Sequence, residues 1–104
     1  MTKRRVVVTG LGIVSPLGST VASAWDGICN GRSGIVTLTK MDTSAFPVRI
    51  GGEAVGFDAE AYMSAKDVRK FDPFVSFGFA AAVQAFKDSG VEVNEANSPR
   101  VGVA

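Results

Sequence analysis

The chain has 104 residues, 46% of them apolar and 20% charged, with a formal net charge of +1, the make-up of a single soluble globular domain at most. That balance argues against nucleic acid or an anionic membrane as the main partner, because both need a sustained excess of Lys and Arg. One cysteine and no histidine exclude an internal disulfide and any catalytic triad that relies on imidazole, the commonest general base.

Lys3, Arg4 and Arg5 are followed by only three apolar residues, Val6 to Val8, before Thr9 and Gly10. That run is too short for an export signal, and no stretch approaches the roughly 20 apolar residues of a membrane-spanning helix, so the expected location is the cytoplasm. The β-branched run from Arg5 to Thr9 predicts a strand buried on both faces, hence an α/β sheet. The segment LGIVSPLG carries Gly12, Pro16 and Gly18 and reads as a loop or irregular turn. Ser19 or Thr20 then caps a helix whose apolar stripe is Val21, Ala24, Trp25, Ile28 and Cys29, with Gly31 ending it in a left-handed conformation.

From Arg32 to Gly56 the helical period is lost among Gly34, Pro47, Gly51 and Gly52, which predicts loops and short strands. Asp58 starts one helical turn within Phe57 to Met63, and Ser64 with Asp67 has the form of a capping box for a short helix. Asp72 as N-cap, Pro73 at the first helical position and Gly90 as terminator define a helix of about 17 residues. Its apolar residues, among them Phe74, Phe77, Phe79, Val83 and Phe86, cover more than one face, as in a helix enclosed by protein on several sides. The final Arg100 to Ala104 reads as a buried strand, and an apolar strand left uncovered is a hazard that native chains avoid. A truncation at Ala104 is therefore expected.

Three features bear on chemistry. The strand followed by Gly10-Leu11-Gly12 begins like a dinucleotide-binding fingerprint, but Ser15 holds the third glycine position and Pro16 and Gly18 delay the helix. The amides that should face a phosphate are thus not at a helix start. A loop allowing close backbone approach is the better reading. Cys29 lies near the C-terminal end of its helix, where the dipole opposes a thiolate, and on an apolar stripe, so it reads as a core residue. Lys66, Arg69 and Lys70 share one helical face by i, i+3, i+4 spacing, while Val68 and Phe71 point away. Such a face is ordinarily only solvated; the alternative is a docking patch for an acidic partner, where charge sets association rate and orientation.

The order RRVVVTGLGIVSPLG, Trp25, Gly31 to Ile35, Asp42-Thr43-Ser44, KDVRKFD, the long helix ending KDSG, and RVGVA closely resembles the start of the bacterial β-ketoacyl-acyl carrier protein synthase II family, across all 104 residues. The resemblance implies an α/β, thiolase-like fold, with residues 1–104 forming the opening part of its N-terminal half, in an enzyme that is a homodimer and needs no cofactor. It implies an elongating condensing enzyme, in which a Cys at a helix N-terminus takes an acyl chain from acyl carrier protein as a thioester. Two His then help to decarboxylate a malonyl thioester whose carbanion attacks that acyl group. All three residues would lie beyond Ala104, and Cys29 matches neither the position nor the local motif of that nucleophile, so these 104 residues should be inactive alone. Lys66, Arg69 and Lys70 match the basic positions that meet the acidic helix of acyl carrier protein. Two other functions stay open: a non-catalytic chain-length partner subunit of the same fold and, ranked last, a small nucleotide-binding module.

Overall fold

A computed structural model describes residues 2–104. Its elements in chain order are α1 (Val21–Cys29), β1 (Ile35–Thr37), β2 (Ile50–Gly52), a first 3₁₀ turn (Ala59–Ala61), α2 (Ala65–Lys70), α3 (Pro73–Ser89) and a second 3₁₀ turn (Ser98–Arg100).

Helix α1 begins at a reciprocal cap. The Thr20 side chain accepts from the Ser23 amide while the Ser23 hydroxyl engages the Thr20 backbone N–H, which satisfies two of the amides a helix start leaves free. Past its end, Gly31 has φ of +66°, the left-handed conformation expected of it. The chain then forms an antiparallel pair, with Ile35 opposite Gly52, Val36 opposite Gly51 and Thr37 opposite Ile50. Glu53, directly after β2, is only 8% exposed, and its carboxylate accepts from the Thr39 and Lys40 amides, both at 2.9 Å, and from the Thr39 hydroxyl at 3.0 Å. It therefore clamps the chain leaving β1 to the chain leaving β2.

Asp58 caps the first 3₁₀ turn by accepting from the Glu60 amide. Ser64 caps α2 by accepting from the Asp67 amide, and the Asp67 carboxylate returns to the Ser64 hydroxyl rather than to its amide. Helix α3 runs over the 17 residues expected, with Pro73 in the first turn and Gly90 at φ +66° beyond its end. Asp72 makes no side-chain hydrogen bond as N-cap.

Loop Gly10 to Gly18 lies across α3. A Cβ at Gly12 would collide with the Ala81 carbonyl and the Ala85 amide, and one at Gly10 with the Ala85 carbonyl and the Ser89 backbone. The glycines are there so that backbone can touch backbone. At this contact the Leu11 amide donates to Asp88 Oδ2 at 2.9 Å and the Ile13 amide to Gln84 Oε1 at 3.2 Å. Ser15 and Gly18 exchange backbone hydrogen bonds around Pro16 and Leu17, closing the turn read from LGIVSPLG.

Three expectations fail for one reason. Arg5 to Thr9 forms no ladder, with Val6, Val7 and Val8 exposed by 92%, 68% and 79%. Val101 to Ala104 is likewise no strand, and Val103 is wholly exposed. Cys29 is exposed rather than in a core. Arg5 to Thr9 and Val101 to Ala104 need partner strands, and among the described residues none pairs with either; on the α1 stripe Ala24 is buried, but Val21, Trp25, Ile28 and Cys29 stay exposed. A strand is defined by its partners' hydrogen bonds, so a strand-forming sequence without them is only extended chain.

Candidate functional site

The interior that does form is small. Ala80, at 0% exposure, and Ser76 mark the buried side of α3, while Phe74, Phe79 and Phe86 face outward. Between α1 and the glycine loop runs an apolar groove of about 180 Å³ lined by Leu11, Ile13, Val21, Trp25 and Ile28, together with Gly12 and Ala24. None of these side chains ionises, so the groove offers no acid, base or nucleophile. In the glycine loop the Leu11 and Ile13 amides are already spent on Asp88 and Gln84.

The remaining concentration of chemistry is on α2. Lys66, Arg69 and Lys70 are all exposed, while Ala65 before them and Asp67 and Val68 between them are half-buried. The three cations thus stand on the outer face and the helix rests on its other side, as the spacing predicts. None of the three makes an ion pair; among the described residues the one ion pair joins Arg32 to Asp26 at 3.1 Å. The Lys70 ammonium lies 5.3 Å from the centre of the Phe71 ring, within cation–π range.

Local stability accounts for only part of this. Arg69 and Lys70 occupy the last turn, where the helix dipole favours cations. Lys66 is the second residue of the helix, where the dipole disfavours a positive charge, and its i,i+4 relation to Lys70 is repulsive. A face that gathers three cations against these local preferences is suited to meeting a negatively charged surface.

Helix α2 is held in place by what precedes it. It packs on the first 3₁₀ turn, and that turn packs on α3. The joining contacts are the Tyr62 hydroxyl with Gln84 Nε2 at 3.0 Å, the Ser76 hydroxyl with the Met63 sulfur at 3.6 Å, and the Phe57 ring edge-on to Phe77 with centroids 5.2 Å apart. Phe57 also stacks on Tyr62. The reading from sequence passed over Gln84 and Tyr62. The available signal was Gln84 with Asp88, two polar residues one turn apart on a largely apolar helix, which both serve the glycine loop.

A family model described as "Beta-ketoacyl synthase, N-terminal domain" matches residues 3–104. The whole chain is 55% identical to a 3-oxoacyl-(acyl-carrier-protein) synthase 2 of Vibrio cholerae and 50% identical to one of Coxiella burnetii. It spans only a quarter of the length of these curated relatives, 25% in each case. Among solved structures, "The ishigamide ketosynthase/chain length factor" superposes with a TM-score of 0.78 at 30% identity, over 88% of this chain and 23% of that one. With a family match through residues 3–104 and at least half the residues shared with two curated relatives, the chain belongs to the β-ketoacyl synthase family and has the opening part of its thiolase-like N-terminal domain.

Proposed function

We propose that these residues are the opening part of a fatty-acid-elongating condensing enzyme and that Lys66, Arg69 and Lys70 form its docking face for acyl carrier protein. The observation that carries the docking role is the outward, ion-pair-free placement of all three cations on one face of α2. Lys66 strengthens it, since its position near the helix start has no local electrostatic reward.

On this reading the chemistry belongs to residues outside the 104. A cysteine thiolate accepts the acyl group as a thioester, and two histidines assist decarboxylation of a malonyl thioester and stabilise the negative charge that develops on its carbonyl oxygen. The share of this chain is delivery, because steering and orientation of the loaded carrier bring the thioester to the nucleophile. The assembled enzyme is a cytoplasmic homodimer.

The test is charge reversal at all three positions in the full-length synthase. Loss of steering lowers kcat/KM for carrier-borne substrate by about tenfold at low salt, with little change for a small thioester mimic. Single reversals fall within a few-fold, since an exposed pair contributes only about 0–1 kcal/mol. Unchanged carrier-protein kinetics at low salt would overturn the docking role. A second reading, the non-catalytic chain-length partner, is favoured by the likeness to the solved ishigamide ketosynthase/chain length factor. A full-length protein that forms no acyl-enzyme with acyl carrier protein would establish that reading instead.

A further inference from the structure

We infer that Tyr62 and Gln84 are a positioning pair that sets the orientation of the basic helix for carrier docking; the inference rests on the docking role just proposed for Lys66, Arg69 and Lys70. With only six residues, α2 is far too short to hold its own geometry in water, since isolated helices below about 12–15 residues are marginal. Its direction is inherited from the 3₁₀ turn before it, which is seated on α3.

Of the contacts in that seat, the Tyr62–Gln84 bond is the polar one with full hydrogen-bond geometry. The Gln84 amide has a determined orientation. Its oxygen accepts from the Ile13 amide at 3.2 Å, and its nitrogen donates to the Ser19 carbonyl at 2.7 Å and to the Tyr62 hydroxyl at 3.0 Å. A flipped amide would set like against like at both backbone partners. One side chain therefore ties together α3, the glycine loop, the approach to α1 and, through Tyr62, the stem of α2. Tyr62 is two residues from the Ser64 cap, so a shift of its ring tilts the face carrying the three cations. Neither residue belongs to that face, and both act through it.

The experiment uses the full-length synthase, with acyl carrier protein substrate set against a short pantetheine thioester. Tyr62→Phe keeps the ring, and with it the stacking on Phe57, but removes the hydroxyl that accepts from Gln84. It raises KM for carrier-borne substrate about threefold, the size expected for one net hydrogen bond, while kcat and kcat/KM for the short thioester stay unchanged and the thermal midpoint falls only slightly. Phe57→Leu, which loosens the ring stack and leaves the hydroxyl, moves KM the same way. Added to the triple charge reversal, Tyr62→Phe has no further effect, because it acts only through those cations. If charge reversal weakens carrier kinetics and neither Tyr62→Phe nor Phe57→Leu does, the positioning role is overturned and the docking role stands. An equal loss on both substrates overturns it as well, leaving a merely structural bond. If charge reversal itself changes nothing, the docking role fails first and the positioning role with it.

Discussion

Gly12 and Glu53 show how much can hang on a single position. At Gly12 the nearest atoms to an added Cβ are helix backbone, which cannot swing aside as a side chain can. Gly12→Ala should therefore destabilise the full-length protein by about 1–3 kcal/mol, the range for overpacking, read as a lower midpoint in urea with unchanged slope. A midpoint equal to the parent's would mean the loop stands off from α3. At Glu53 the amides of Lys40, first, and Thr39 hold the carboxyl below the ordinary glutamate value of 4.5, against the opposing effect of burial. A depressed carboxyl pKa adds stability that is present above the unfolded value and lost as pH falls through the folded one. Glu53→Gln should thus lower stability at neutral pH and flatten its decline below about pH 4.5; parallel acid limbs in the two proteins would remove Glu53 from the account.

Among the elements, the three helix starts differ in how they are closed. Thr20 and Ser64 both accept an amide hydrogen bond, whereas Asp72 accepts none. Thr20→Ala should cost about 1 kcal/mol, the usual worth of a side-chain cap. Asp72→Ala should cost less, because only the charge–dipole attraction of about 0.3–1 kcal/mol is lost. Chemical denaturation of the full-length variants ranks them, and a larger loss at Asp72 would show that its carboxylate finds the helix amides in solution. The local signals behind these elements were legible in sequence: both caps, Pro73, Gly31 and Gly90 all work within a few residues of one another. What could not be read were meetings across 71 or 77 positions, such as Ile13 with Gln84 and Leu11 with Asp88, because no period or spacing records which distant residues a fold brings together.

For the molecule as a whole, surface is the governing quantity. The accessible area is 8444 Å², where a compact monomer of this size exposes about 5,500 Å². The radius of gyration is 17.6 Å, against about 13 Å for a compact chain of this length. Val6 to Val8, Trp25 (63% exposed) and Phe74 (72%) contribute to that excess, and burial of such side chains is the main force that opposes chain entropy. The isolated 104 residues should therefore aggregate or stay loosely folded. A sharp monomeric peak on size exclusion together with a cooperative thermal transition would refute this.

The sequence by itself determined the helices, the Ser64 cap, the basic face of α2 and the family, because each is written in neighbouring residues or in the order of motifs along the chain. It also marked Val6 to Val8 as strand-forming, but whether a β-branched run becomes a strand is decided by the partners that hydrogen-bond to it. Only the tertiary structure placed the glycine loop against α3, turned Cys29 outward and joined Tyr62 to Gln84. Those outcomes depend on contacts between segments far apart in sequence, and on which of those segments are there to make them.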